Sequence, residues 1–458
     1  MSHINISSVV DDAKFNRFHA KVLGWCLLII IIDGYDIAIA GAALPSIMKD
    51  MGVTASTAGL MASSALFGMM FGAMFFGALS DRIGRRWTIA ICVSLFSAFT
   101  TAAGFSHDPT TFIVLRFIAG LGIGGVMPNI VAQMTEYSPR RIRSFMTTVM
   151  FSGYAVGGVL AAVIGKNFIV EFGWQIIFIV AGVPLLLLPF IFTTMPESLS
   201  FVIAHKKTDQ FHKILRQLAP HLDVNRVNTS SPQSTRSASG ATVADLFREG
   251  RAISTAMFWI AFFTGLFMVY ALSSWLTKIM AMSGYNLGSA LSFVIALNFG
   301  AVIGAVGGGW LADRFHIKWV LVCMYALGAV FLYMMTFKTS TEMRYLVVGA
   351  VGACTTGAQI VAYAYSGQFY PSSMRSTGVG MAAGVGRTGA IAGPLLIGLI
   401  VSLQLPLEHN FLLIGSAGIV GALALACINH SKSACEISNN AASSAASAQK
   451  NKLINARG

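Results

Sequence analysis

Twelve apolar runs of about 20 residues succeed one another along the chain, near 22–44, 57–79, 87–106, 111–134, 144–165, 173–194, 252–272, 287–311, 318–337, 344–368, 376–401 and 411–430. Wound as helix, a run of that length crosses about 30 Å of hydrocarbon. Repeated twelve times, it leaves room for no soluble fold. The composition agrees: 55% of the 458 residues are hydrophobic and 11% charged, where a soluble globular protein carries about 25% charged. The expected fold class is an all-α integral membrane protein with twelve transmembrane helices embedded in the lipid bilayer.

An even number of spans puts both termini on one side, and the basic residues say which. Of 31 Lys and Arg, 24 lie on the side of the termini, five (Lys49, Lys166, Lys278, Lys338, Arg344) on the other, and two, Arg116 and Arg387, inside spans. Positive charge stays in the cytoplasm, so both termini are expected there. The same asymmetry accounts for the net charge of +13. No continuous basic patch with aromatic stacking positions points to nucleic acid. The first run resembles a signal segment up to Ile32 but continues through Asp33 and Asp36 to Pro45, so it reads as a retained helix. The six cysteines form no CxxC pair and no regular spacing, which suggests neither a disulfide framework nor a metal site.

The longest connection, 195–251, divides the chain into a first six-helix half (22–194) and a second (252–430), flanked by cytoplasmic tails at 1–21 and 431–458. The second tail is Ser/Ala/Asn-rich and reads as disordered. The halves repeat in one constant register: Gly77-Ala-Leu-Ser-Asp81-Arg82 matches Gly309-Trp-Leu-Ala-Asp313-Arg314, and at the same offset Pro139 matches Pro371 and Arg143 matches Arg375. Two parallel halves imply a central site between them.

The loop Gly77-Ala-Leu-Ser-Asp81-Arg82-Ile-Gly84-Arg85-Arg86, with its echo before His316, resembles the signature of the major facilitator superfamily, as does Leu115-Arg116 with Gly120, Gly122 and Gly124. Asp33-Gly-Tyr-Asp36 and Gly384-Val-Gly-Arg387-Thr-Gly389 are similar to the aromatic acid:proton symporter family within it, which includes benzoate and 4-hydroxybenzoate permeases. The resemblance implies two pseudo-symmetric six-helix halves, a bacterial inner-membrane location, alternating access, and a carrier acting as a monomer with no cofactor beyond protons. It also implies a cytoplasmic gate built from Gly77, Asp81, Arg82, Gly84, Arg85, Arg86, Glu136 and Arg143, with Asp313, Arg314 and Arg375 in the second half. His316 stands where the second-half motif would have glycine, which predicts a weaker gate there. The helix-5 Gly-Pro motif of drug:proton antiporters is absent from Gly153-Tyr-Ala-Val-Gly157-Gly158.

A charge at the bilayer centre costs about 2.5–3.5 kcal/mol on insertion scales, so it persists only with a partner or a role. Asp33 and Asp36 are three apart on one helix face. Two neighbouring carboxylates disfavour joint ionisation, which suits a carrier that takes up and releases a proton. The alternative is that one of them is a structural partner for Arg116, and a coupling pair of Arg116 with Asp36 is expected from their similar depth. Arg387, near the middle of its span, can hold a carboxylate by two parallel hydrogen bonds; its alternative role is an ion pair with Asp33. Tyr35, Asn129, Tyr154, Tyr270, Asn298, Gln359, Tyr363 and Tyr365 could line a cavity for an aromatic substrate. Gly384-Val-Gly386-Arg-Thr-Gly389 matches a nucleotide-binding pattern but lies inside an apolar helix, and glycines four apart, such as Gly68/Gly72 and Gly300/Gly304, read as helix packing. The function expected is proton-coupled import of an aromatic carboxylate. The alternatives are a symporter for a non-aromatic anion such as a ring-cleavage dicarboxylate, a receptor, or an intramembrane enzyme, for which no nucleophile–base pair or metal cluster speaks.

Overall fold

The computed structural model describes residues 6–205, 207–218, 243–248, 250–371 and 374–433. The Ser/Thr-rich part of the long connection, the tail beyond residue 433, Cys435 and the side chain of Asp81 lie outside the described residues.

Twelve helices long and apolar enough to cross a membrane occur among the described residues. In order they are span 1 (Arg17–Asp50), span 2 (Ala55–Ile83), span 3 (Arg85–Ala103), span 4 (Pro109–Tyr137) and span 5 (Arg143–Phe172). Span 6 (Gln175–Thr194), span 7 (Ala252–Met282), span 8 (Leu287–Arg314), span 9 (Ile317–Met334), span 10 (Thr341–Phe369), span 11 (Arg375–Ser402) and span 12 (Glu408–Cys427) follow. Two are irregular. Pro184 has no N–H to continue an α-ladder, and span 6 passes through a 3₁₀ stretch at Val183–Leu187. Span 10 carries a π-turn at Ala353–Gly357.

Span 1 starts five residues before the apolar run because Asn16 caps it, accepting the N–H groups of Phe18 and His19. The Asn16 amide also donates to the carbonyls of Gln217 and Leu218, 3.0 and 3.2 Å away, and so closes the C-terminal end of the helix Thr208–Leu218 in the long connection. The sequence reads as one helical stretch from Ser198 to Leu218; the structure breaks it into Leu199–Ala204 and Thr208–Leu218. Thr208 and Asp209, residues suited to a helix start, begin the second piece.

The repeat survives in three dimensions. A Cβ on Gly72 would lie 2.0 Å from the Leu121 carbonyl oxygen, and one on Gly304 would lie 2.3 Å from that of Ala353, with both partners displaced by the same repeat offset. Span 2 thus meets span 4 as span 8 meets span 10. Exposed apolar stripes repeat too: Phe67, Phe71 and Met74 on span 2 match Phe299, Ile303 and Val306 on span 8. Large exposed apolar side chains at helical spacing suit contact with lipid, where only satisfied backbones are stable.

The chain packs as two compact units that cut across the sequence halves. The larger holds spans 1–6 with Tyr270–Val302 and Ile391–Asn410; the smaller holds span 7 up to Val269, Ile303–Ala390, and span 12 from Phe411. Backbone contact explains why the ends of spans 7 and 11 join the larger unit. A Cβ on Gly41 of span 1 would lie 2.0 Å from the Ser273 carbonyl oxygen of span 7, and one on Gly398 of span 11 would lie 2.7 Å from that of Ala55. Trp275 Nε1 donates to the Pro394 carbonyl at 2.9 Å, and Ser63 Oγ to that of Ile391 at 3.1 Å. These contacts lie toward the end of span 1 that carries Lys49 and Asp50, the end expected outside from the sequence.

Candidate functional site

Asp33 and Asp36 are both buried on span 1, and the structure gives them different partners. Asp36 Oδ2 accepts Arg116 Nη1 at 2.8 Å, while Arg116 Nη2 donates to the Asp36 backbone carbonyl at 3.1 Å. The same Nη1 reaches Thr100 Oγ1 at 2.9 Å, and the guanidinium stands 5.8 Å from the Phe178 ring centroid. This pair is 1–2% exposed. Such burial holds only because charge, hydrogen bonds and a π-face are supplied together. Asp33 instead accepts the Tyr154 hydroxyl from span 5, whose oxygen also lies 3.1 Å from Met127 Sδ.

The coupling pair expected from the sequence is therefore present as a contact, and Tyr154, read there as cavity lining, is the phenol on Asp33. A cavity beside Arg116, lined by Tyr270, Ser274, Ala62, Leu66 and Met69, has room for about one water (≈ 10 Å³). That cavity is too small for an aromatic acid. Three other residues read as cavity lining spend polar atoms on the backbone. The Tyr35 hydroxyl donates to the Ile177 carbonyl at 2.8 Å, the Asn129 amide to that of Gly125 at 2.8 Å, and the Asn298 amide to that of Val294 at 2.9 Å.

In the smaller unit, Arg387 is half-buried on span 11 and interacts electrostatically with the Tyr363 hydroxyl of span 10. The Tyr363 ring meets Phe262 of span 7 edge to face, 4.9 Å between centroids. Tyr365 turns away, its hydroxyl 3.3 Å from His430 Nδ1. Gly384, Gly386 and Gly389 lie within helix, and a Cβ on Gly389 would lie 2.1 Å from the Phe263 carbonyl. That is packing rather than a phosphate cradle.

At the end of the larger unit where spans 2 and 3 meet, Gly84 links them at φ +94°, a conformation open to glycine, and a Cβ there would meet the Glu197 carboxylate at 2.8 Å. Glu197 Oε1 accepts the backbone N–H of Arg86 at 3.0 Å and of Ser198 at 2.9 Å. Arg85 pairs with Glu136 at 3.0 Å, and Glu136 also accepts Leu199 N–H at 3.0 Å and the Ser198 and Ser200 hydroxyls. Arg143 reaches Asp11 at 2.6 Å. The signature loop is thus tied to the segment after span 6. Of the expected gate residues, Gly84, Arg85, Arg86 and Glu136 come together here; Arg82, Asp313 and Arg375 are exposed, and Arg314 lies over the Trp310 ring at 4.9 Å. His316 has φ −62°, so among the described residues the left-handed turn of Gly84 has no second-half copy.

Glu197, Tyr137, which donates to the Glu197 carbonyl, and Asp11 were missed by sequence reasoning. One signal was available: with 18 acidic residues in the whole chain, an acid directly after span 6 and beside a basic loop stands out. Removing it tests the tie. Glu197→Ala should cost about 1–3 kcal/mol of stability by orphaning two N–H groups, read as a lower melting temperature in detergent. Glu197→Gln keeps an oxygen for both and should cost less; an unchanged melting temperature for the Ala variant would show that the tie carries no stability.

The family model described as "Major Facilitator Superfamily" matches residues 26–308 and 293–434. The chain belongs to the major facilitator superfamily. As a superfamily member it is a multi-pass membrane protein, and its relatives are transporters. It is 43% identical to the "Benzoate transport protein" of Acinetobacter baylyi, covering 93% of each chain. It is 34% identical to a "4-hydroxybenzoate transporter" of Pseudomonas putida (85% of this chain, 88% of the other) and to a "Gentisate transporter" of Corynebacterium glutamicum (90% and 87%). Among solved structures it resembles the xylose transporter of E. coli in a partially occluded inward-open conformation, with TM-score 0.70 and 17% identity over 89% of this chain and 97% of the other. That likeness supports the twelve-helix superfamily fold.

Proposed function

We propose that this superfamily member imports an aromatic carboxylate of the benzoate or hydroxybenzoate class together with protons, by alternating access. The observation that carries the reading is the 43% identity, over 93% of both chains, to a protein named for benzoate transport. The two six-helix halves are taken as the moving bodies, both termini as cytoplasmic, the membrane as the bacterial inner membrane, and the carrier as a monomer needing no cofactor besides protons.

Asp36, held by Arg116, remains a compensated charge. Asp33 is assigned the transported proton, because a tyrosine hydroxyl can donate to a carboxylate and accept from a carboxylic acid. Arg387 is assigned the substrate carboxylate, with the Phe262 and Tyr363 rings beside it offering faces and edges to an aromatic ring. A carboxylic acid with pKa near 4 is an anion at neutral pH. Carrying one proton with it makes the step neutral, and a second makes it voltage-sensitive by about 2.3 kcal/mol per 100 mV. The cytoplasmic tie at Gly84, Glu136 and Glu197 is assigned to gating, together with Gly77, Asp81, Arg82 and Arg143.

The test is uptake of labelled benzoate, hydroxybenzoates, gentisate and muconate into proteoliposomes under a pH gradient, inside alkaline. Accumulation of the monocyclic acids supports the proposal. Accumulation of muconate alone would replace it with a dicarboxylate carrier.

A further inference from the structure

The smaller unit holds a buried amide whose carbonyl end has a partner and whose donor has none among the described residues. The Tyr325 hydroxyl on span 9 lies 3.1 Å from the Ala261 carbonyl and 3.2 Å from Gln359 Oε1 on span 10. Both are acceptors, so the hydroxyl donates to them in a shared bond. The carbonyl end of the Gln359 amide is thus placed at Tyr325, and Nε2 is the end that can address something else. Gln359 is 4% exposed, and Nε2 is buried with no hydrogen-bond partner among the described residues. A buried N–H without an acceptor carries the full penalty of its lost water, and such groups in native proteins call for an explanation.

Three further observations place this amide. Gln359 follows closely on the π-turn at Ala353–Gly357, whereas the equivalent residues of the first half, 121–125, lie in the regular helix of span 4. Single π-turns inside helices mark functional sites more often than chance. Gly265 of span 7 is the repeat counterpart of Asp33, and a Cβ on it would lie 2.1 Å from Gln359 Oε1 and 2.2 Å from the Tyr325 hydroxyl. The second half therefore needs a glycine where the first half has its carboxylate, and neutral polar groups fill the space. One helical turn beyond Gln359, on the same face, is Tyr363, the residue that interacts with Arg387.

We propose that Gln359 is a specificity-determining residue whose Nε2 donates to a ring hydroxyl of the aromatic acid, at the end of the ring away from the carboxylate. This rests on the proposed substrate class and on Arg387 as its anchor. The carboxylate is the other oxygen acceptor such a ligand offers, but a guanidinium binds it more strongly than a neutral amide does. Turning Gln359 toward a hydroxyl leaves both ends of the ligand satisfied. Tyr325 is the positioning residue, since its hydroxyl is the partner of the amide's other end.

The test is equilibrium binding of benzoate, 3-hydroxybenzoate and 4-hydroxybenzoate to the purified full-length protein and to Gln359→Leu, Gln359→Met and Tyr325→Phe. Thermal melting is measured alongside, and the Met variant keeps the unbranched shape if the Leu variant is unstable. Substitution at Gln359 should weaken binding of at least one hydroxybenzoate by roughly 5- to 100-fold and leave benzoate within about twofold. Tyr325→Phe should shift the same ratio by less. A loss by one common factor for all three acids would assign Gln359 to the carboxylate or to packing and overturn the proposal, as would no change for any of them. A parent protein that binds none of the three acids would overturn the substrate class, and this assignment with it.

Discussion

Asp33→Asn should fold as well as the parent protein yet lose accumulation of substrate under an imposed pH gradient, whereas Asp36→Asn should lose stability as well. The difference follows from the partners. Asparagine keeps the shape of aspartate and a carbonyl for the Tyr154 hydroxyl, but it cannot take up a proton. Downhill exchange of labelled for unlabelled substrate should survive in that variant. At Asp36 the same change leaves the Arg116 guanidinium buried without its counter-charge, at a cost of about 3–5 kcal/mol. Replacing both members, Asp36→Asn with Arg116→Met, should recover most of the lost melting temperature without recovering transport. Equal melting temperatures for the parent and Asp36→Asn would show that the pair does not hold span 1 to span 4.

Gly41→Leu should hold the expected outer end open. Its Cβ would lie 2.0 Å from the Ser273 carbonyl oxygen and 2.9 Å from the Ser274 Cα, and backbone atoms cannot swing aside as a flexible side chain can. Overpacking of this kind costs typically about 1–3 kcal/mol. Borne by the closed arrangement alone, that moves the population toward open by roughly 5- to 100-fold. A cysteine replacing Ser274, a buried position in the closed arrangement, should then react faster with a membrane-impermeant maleimide applied from outside, and uptake should fall. Unchanged labelling would place closure elsewhere.

Much of this was legible in the chain because lipid imposes simple rules. Runs of about 20 apolar residues had to be helices, the constant offset between the halves had to be a repeat, and glycines four apart had to be contacts between helices. Asp36 and Arg116 were legible as a pair because lone charges in hydrocarbon seek each other and their depths agree. Tyr154 was found, but not its partner: a tyrosine in a span reads alike whether it packs, lines a cavity or donates to Asp33. Gly41 belongs to no four-residue series, so its approach to Ser273, its own repeat counterpart in the second half, left no local trace. The π-turn before Gln359 was equally silent, since Ala353-Cys-Thr-Thr-Gly357 has the composition of ordinary helix in such a protein. Glu197 acts through an oxygen held against two backbone amides, a contact set by the Gly84 turn rather than by any residue pattern.

The central claim is that aromatic carboxylate and proton move together, and the most direct measurement is of the proton. Proteoliposomes holding the purified protein and a trapped pH-sensitive dye, with no gradient at the start and voltage clamped by potassium and valinomycin, receive external benzoate or 4-hydroxybenzoate. The account predicts acidification of the lumen that begins with the substrate, is absent in protein-free liposomes beyond the leak of the neutral acid, and disappears in Asp33→Asn. Substrate entry with no protein-dependent acidification would contradict it.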